Sequence, residues 1–308
     1  MDTSSSSFDD VKPKMINGKI VWSGGPSCKQ RFSLPYSVMY YMAKNPSTPE
    51  VYKKLIQCCK YFFEINPILV AANMHGKTKL CLNVACDGES YDDNDDEEYA
   101  ENDCCTDIDM NKLSSKICLT NTLKLTEKNI SMFTSLIYPK LYQYKAINLK
   151  LYYDIILFND FKSCAPFLTD IYLQGVVIKN NEKIVMLDNI LEMVPNVKNF
   201  HLNFDGNFSM FDSFTMKNIC KLNSFQNLES FILGNLREVL NVEDISTFVK
   251  GLPDKKIIFY FTGDELSEEF KIQLDDMIDT VINTHKFVID YPGQNKEKYK
   301  IMKQHYFK

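Results

Sequence analysis

The residues best able to do chemistry in this 308-residue chain are ten cysteines and four histidines. The cysteines are 28, 58, 59, 81, 86, 104, 105, 118, 164 and 220; the histidines are His75, His201, His285 and His305. Thiolate and imidazole groups bind zinc when they recur at short, fixed spacings. Here two cysteine pairs are adjacent, none forms C-x-x-C, and no Cys/His spacing matches a zinc module. The expectation is therefore no metal and no cofactor. Cys59, Cys118, Cys164 and Cys220 lie among apolar residues and read as small core hydrophobes. A catalytic Cys/His/Asp set can be sketched from Cys220, His201 and Asp205, but nothing beside Cys220 would activate its thiol. The sequence holds no G-x-x-x-x-G-K-[ST] or G-x-G-x-x-G phosphate loop and no G-x-S-x-G elbow. The chain is expected not to be an enzyme.

Charge narrows the partners. The formal net charge is −5, yet residues 87–109 hold 12 acidic side chains and no Lys or Arg. The remainder is mildly basic. Asp92-Asp93-Asn94-Asp95-Asp96-Glu97-Glu98 invites a calcium reading, but an EF-hand loop needs Gly at its sixth position and neither register supplies one. The segment reads as an acidic insertion. Basic residues are spread rather than clustered, so nucleic acid is not an expected partner. Lys296, Lys298, Lys300 and Lys303 read as a solvated tail. No apolar run approaches the ~20 residues of a membrane span. The start lacks a basic n-region and an apolar h-region, which predicts a cytoplasmic or nuclear protein with reduced thiols.

The elements that must position these residues divide the chain. Residues 1–31 are polar and Ser-rich, a flexible leader with a short strand around Lys19–Trp22. Residues 32–75 form a small helical unit. Ser33-Leu34-Pro35 opens a helix that carries Val38, Met39, Tyr41 and Met42, and Asn45-Pro46 stops it. Thr48-Pro49-Glu50 opens another: a capping hydroxyl, Pro at the first helical position, an acid in the first turn. Val51, Leu55, Cys58, Cys59 and Phe62 then make one apolar stripe, and Asn66-Pro67 ends the helix. Residues 76–117 are a variable linker with the acidic insertion. Residues 294–308 are the basic tail.

Residues 118–293 repeat themselves. An apolar-x-x-apolar-x-apolar pattern appears as Tyr144-x-x-Ile147-x-Leu149, Leu168-x-x-Ile171-x-Leu173, Val197-x-x-Phe200-x-Leu202 and Leu228-x-x-Phe231-x-Leu233. Leu123-x-Leu125 precedes these and Ile257-x-Phe259-x-Phe261 follows. Between them lie helical patterns, such as Val185, Met186, Ile190, Leu191 and Val194, and Phe270, Leu274, Met277, Ile278 and Val281 after Ser267. A single β–α unit cannot close its own core, whereas stacked units share one. The fold class expected is α/β: a small N-terminal helical unit followed by an irregular β–α solenoid of leucine-rich-repeat type. The outward strand positions Tyr172, Gln174, His201, Asn203 and Ile232 are where a protein ligand would sit.

The segment from Leu34 to Phe62 resembles an F-box. The family pattern is Leu-Pro, aliphatic residues three and four positions after the Pro, an apolar second helix, and Cys-Lys-x-aromatic. Here these are Leu34-Pro35, Val38-Met39, Leu55-Ile56 and Cys59-Lys60-Tyr61-Phe62, with 23 residues between Pro35 and Cys59. Phe62 stands where Trp is commoner, and Asn45–Pro49 lacks the usual Leu-rich link. The positions after the strands, Lys150, Gln174, Asn203 and Gly234, lack the Asn ladder of regular leucine-rich repeats. The resemblance implies that Leu34, Pro35, Val38, Met39, Met42, Leu55, Cys59 and Phe62 make or support contact with the Skp-type adaptor of a cullin–RING ubiquitin ligase. It implies that the repeats hold a protein substrate, whose identity the chain does not give. The alternative is a free-standing repeat scaffold whose helical unit caps the repeat around Leu123.

Overall fold

The structure, a computed structural model of the chain, describes residues 13–16, 19–22, 33–86, 104–126, 132–144, 147–222, 224–262, 266–283 and 285–307. It is mixed α/β, and most of its strands are parallel. No helix among the described residues is long and apolar enough to cross a membrane. Two units divide the chain. The first takes residues 1–120 and 139–143, the second residues 121–138 and 144–308.

In the first unit, β1 (Pro13–Ile16) and β2 (Lys19–Trp22) pair antiparallel, where the sequence suggests one strand. Most of the expected leader and residues 87–103 of the acidic insertion lie outside the described residues. Three helices follow: α1 (Tyr36–Lys44), α2 (Pro49–Cys58) and α3 (Lys60–Ile65). Thr48 caps α2 as expected, its side chain accepting from Val51 N at 3.2 Å. Ser33 does not cap α1; the N-cap position is Pro35. The single helix expected from Thr48 to Asn66 is broken at Cys59, whose extended backbone turns the chain.

That break changes the buried face. Val51 and Cys58 of the expected stripe are exposed, and Tyr52 is buried in their place. The Tyr52 hydroxyl explains the choice. It donates to Asn66 O and accepts from Ile68 N at 3.3 Å, so its ring can be buried with its polar end satisfied. Ile68-Leu69-Val70 opens a strand, β3 (Ile68–His75), so the end of the unit expected to be helical is extended. The expected linker supplies two more, β4 (Lys79–Cys81) and β5 (Cys105–Asp107), in an antiparallel β3–β4–β5 ribbon.

β6 (Lys116–Leu125) begins in the first unit and ends in the second; β7 (Leu141–Tyr144) pairs with it. The second unit continues with β8 (Asn148–Tyr152), β9 (Ile155–Leu157), α4 (Phe158–Cys164), β10 (Asp170–Gln174), β11 (Val177–Asn180), β12 (Lys183–Ile184), α5 (Leu187–Glu192), β13 (Asn199–Asn203), α6 (Thr215–Ile219) and β14 (Ser230–Leu236). It ends with α7 (Val242–Gly251), β15 (Lys256–Phe261), α8 (Glu268–Val281), β16 (Phe287–Asp290) and α9 (Lys296–Tyr306). The spatial order β6–β8–β10–β13–β14–β15–β16 follows the sequence, and every neighbouring pair is parallel.

The register explains the repeat. Leu123, Leu149, Ile171, Phe200, Phe231, Ile257 and Phe287 stand side by side across the sheet, all buried. Two residues on, Leu125, Leu151, Leu173, Leu202, Leu233, Phe259 and Ile289 form a second buried row. One expected repeat is out of register by two residues. Ile147 is exposed and precedes β8, and Leu149 and Leu151 form the inward pair. Ile147, Leu149 and Leu151 alternate, so the pattern permits both registers. The backbone selects one: Ile147 O accepts from Thr169 N and Asp170 N, just as Thr169 O accepts from Lys198 N and Asn199 N in the next repeat. β16 adds a seventh strand that the pattern search did not isolate.

Helices bury their stripes against the inward rows, α8 through Phe270, Leu274, Met277, Ile278 and Val281. Ser267 caps it as expected, accepting from Phe270 N at 3.2 Å. Residues 294–308 are not a solvated tail. Asn295 caps α9, and Met302 and Tyr306 are buried one turn apart. The Tyr299 hydroxyl donates to Asp290 on β16, and Lys298 pairs with Asp279 of α8 at 2.8 Å. α9 thus covers the terminal strand, whose open edge would otherwise be a template for foreign pairing. Lys296, Lys300 and Lys303 are the solvated side of an amphipathic helix, and Lys298 is held against α8.

Phe231 packs on Phe200, Phe248 and Phe259. Phe231→Ala is expected to cost about 3–5 kcal/mol in urea unfolding, and exposed Phe214→Ala almost nothing. At Gly175 the backbone has φ +60°, and an added Cβ would stand 2.7 Å from the Tyr153 ring. Gly175→Ala is expected to lose roughly 1–3 kcal/mol in the same assay. Gly251→Ala, which meets nothing within 4 Å, should not destabilise.

Candidate functional site

Two surfaces hold the residues singled out by the sequence, one in each unit. The first is built by α1–α3. Alternating demands on α1 decide which side chains remain available. Met39 and Ala43 pack with Phe62, and Met42, Leu55, Ile56 and Cys59 sit partly buried around them. The other side of the same residues is solvent. Leu34 is 48% exposed, Val38 41% and Val51 41%, with Tyr36 and Tyr41 more exposed still. Of the eight residues implied as adaptor contacts, Leu34, Pro35 and Val38 therefore lie on the surface. Met39 and Phe62 are internal supports, and Met42, Leu55 and Cys59 lie between. On another side of α1 the Tyr36 ring stacks on Tyr40 at 6.2 Å and meets Tyr61 edge-on at 6.3 Å. A separate side of the helices packs inward: Tyr52 lies against Ile68 and Cys118, with Tyr142 alongside.

The second surface is the outward face of the parallel sheet. The strands' two-residue period places Lys124, Lys150, Tyr172, His201, Ile232, Ile258 and Val288 in one row. Three of the five expected ligand positions, Tyr172, His201 and Ile232, are adjacent in this row. Gln174 and Asn203 are paired in the next, beside Tyr152 and Gly234. Register also corrects the post-strand series: Tyr152, not Lys150, is the partner of Gln174. Ile258 and Val288 are buried, and Lys256 of the same outward face lies over the Tyr306 ring of α9 at 5.5 Å. The outward face is thus closed at β15–β16 and open from β8 to β14.

The open part is a shallow groove of about 250 Å³, with Lys150, Asp170, Tyr172, Asn199, His201 and Ile232 among its lining residues. Aromatic rings line it: Tyr172 meets His201 edge-on at 4.4 Å, and the neighbouring Tyr152 ring lies 5.2 Å from Tyr172. Asn199 Nδ2 donates to Asp170 at 2.6 Å, which holds a polar rim beside the rings. Burial lowers the His201 pKa to about 4, so the imidazole is neutral near pH 7. The groove offers flat apolar area with hydrogen-bonding edges, a chemistry suited to binding side chains of another protein.

The sketched catalytic set is not supported by its environment. Burial pushes the Cys220 thiol up to about 11, and its sulfur donates to Asp244 O at 3.5 Å. A thiol so placed is a poor nucleophile. Cys118 and Cys164 are buried as expected of core residues, whereas Cys59 and Cys220 are half-buried. Sequence reasoning missed one grouping. Cys81, Cys86, Cys104 and Cys105 converge in the first unit, although no short spacing signals it. No family model matches the chain, and no curated protein matches it in sequence.

Because the folded state disfavours the charged imidazole, the unfolded chain binds the extra proton between pH 6.5 and about 4. Stability should be full above pH 6.5 and fall as the pH drops through that window. His201→Gln should remove this part of the slope in pH-dependent unfolding, and an NMR titration should find the His201 midpoint near 4.

Proposed function

We propose that this chain is a non-catalytic substrate-recognition subunit. In this reading α1–α3 form an F-box-like unit that docks a Skp-type adaptor of a cullin–RING ubiquitin ligase. The seven parallel strands with their helices form a degenerate leucine-rich-repeat-like solenoid that holds a protein substrate. The observation that carries the reading is the exposure of the apolar side chains Leu34, Tyr36, Val38, Tyr41 and Val51. These side chains belong to a helical unit whose own core is already filled by Met39, Ala43 and Phe62. Apolar surface left over in this way favours a partner, and Leu34, Pro35 and Val38 are positions at which the F-box resemblance puts the adaptor.

Such a subunit needs no reacting group. It raises the effective concentration of substrate beside the ligase. The groove around Tyr172 and His201 is the proposed substrate surface, and the expected compartment is cytoplasm or nucleus. A second reading draws on a different observation. Tyr52 packs on Ile68 and Cys118, so the helices also serve their own unit as a cover. A free-standing scaffold would use that side alone.

A pull-down with a recombinant Skp-type adaptor separates the two. Wild type is expected to bind. Leu34→Ala with Pro35→Ala is expected to abolish binding, each anchor being worth about 2 kcal/mol or more. Both residues are exposed, so the circular dichroism melt should not move. A well-folded wild type that fails to bind would leave the scaffold reading.

A further inference from the structure

Strand pairing gathers four thiols from distant sequence positions. Cys81 of β4 lies directly opposite Cys105 of β5, so their side chains share a face of the ribbon. Cys104 stands one residue before β5, and Cys86 ends the turn that follows β4. All four sulfurs lie within 4.8 Å of one another. The Cys81 and Cys104 sulfurs are 3.3 Å apart, and those of Cys86 and Cys105 are 3.5 Å apart. A disulfide needs about 2.05 Å. A tetrahedron with Zn–S bonds of about 2.3 Å has sulfur–sulfur edges of about 3.8 Å, within the range these sulfurs span.

The turn that aims Cys86 is a built one. Asn73 of β3 pairs with Cys81 in register, and its side chain is buried. Its amide nitrogen lies 2.8 Å from Asn83 O, 3.2 Å from Val84 O and 2.9 Å from Cys86 O. Cys86 N donates back to Asn83 O at 3.3 Å, and Ala85 N donates to Asn83 Oδ1 at 3.0 Å. A buried carboxamide that gathers the carbonyls of one turn fixes where the next thiol points. That is how outer groups orient metal ligands.

We propose that Cys81, Cys86, Cys104 and Cys105 form a tetrathiolate zinc site. Sulfur-only tetrahedral sets select zinc among the common divalent ions, with an iron–sulfur centre as the rival occupant. Binding involves no redox change: four thiols release four protons, and four thiolates donate to one Zn²⁺. Because the ligand thiols must lose their protons to bind, zinc affinity rises with pH. The bound ion would tie Cys86 to Cys104, which flank the acidic residues 87–103, and would join them to the β4–β5 pair. This inference is independent of adaptor docking.

The test uses full-length protein purified under reducing conditions, with zinc measured by elemental analysis after dialysis against a moderate chelator. Stoichiometric zinc is expected. Replacement by Co²⁺ is expected to give the intense visible absorption of a tetrahedral tetrathiolate centre. Cys86→Ser with Cys104→Ser should lose both signals, while Cys58→Ser, at an exposed cysteine outside the cluster, should keep them. The cobalt spectrum of the wild type needs no variant, so a double variant that fails to fold leaves the test intact. A reduced wild type that takes up neither zinc nor cobalt overturns the proposal. So does full zinc retention by the double variant, or a coloured iron centre in place of zinc.

Discussion

The second unit depends on one constraint: the inward residues of successive parallel strands must stand in register. Leu123, Leu149, Ile171, Phe200, Phe231, Ile257 and Phe287 form one continuous row because each strand is hydrogen-bonded to the next without a shift. A slip of one residue would turn every apolar side chain toward the other face. The helices pack against these rows, and their own stripes follow from that. The single irregularity falls late, between Leu233 and Leu236 of β14, where an extra residue restores the alignment of Leu236 with Phe261. Burial, pairing and helix placement are thus consequences of the same alignment.

The same register composes the outward face. Side chains twenty or more positions apart in sequence become neighbours, which is how the Tyr152, Tyr172 and His201 rings meet in one row of contacts. α9 then divides that face by covering Ile258 and Val288 and leaving the earlier strands open. A helix that protects an edge strand therefore also sets the extent of the groove. In the first unit the division is by helix side. Met39 and Phe62 make a small core, Tyr52 packs on Ile68 and Cys118, and Leu34 and Val38 stay exposed. The exposed residues and the packed ones are different side chains, so the docking proposed for the former would not compete with the packing of the latter.

The cysteines illustrate how little residue type alone decides. Cys164 is buried at the end of α4 and its thiol is pushed far up by desolvation. Cys220 is half-buried with a carbonyl partner. Four others converge at one end of a three-stranded ribbon. Only the last arrangement offers a cation a complete ligand set, and it owes that to strand pairing and to one buried asparagine.

Local chemistry was readable from the sequence wherever the cause was local. Thr48-Pro49-Glu50 and Ser267-Glu268-Glu269 start helices because the cap, the proline and the first-turn acids act within one turn. The two-residue alternation in Ile171-x-Leu173, Phe200-x-Leu202 and Phe231-x-Leu233 determined strands with one buried face. Their recurrence determined a mixed α/β fold of parallel strands. The same alternation was ambiguous at Ile147-x-Leu149-x-Leu151, where only the partner strand's hydrogen bonds choose the register. The stripe through Val51 and Phe62 does not reveal the break at Cys59, which depends on what Tyr52 can reach in three dimensions. The lysines of the C-terminal segment hid Met302 and Tyr306, whose burial needs β16 beneath them. The thiol cluster had no signature, since its spacing is set by antiparallel pairing across an insertion rather than by a loop of fixed length. Residue patterns determined the elements; long-range pairing decided which side chains meet.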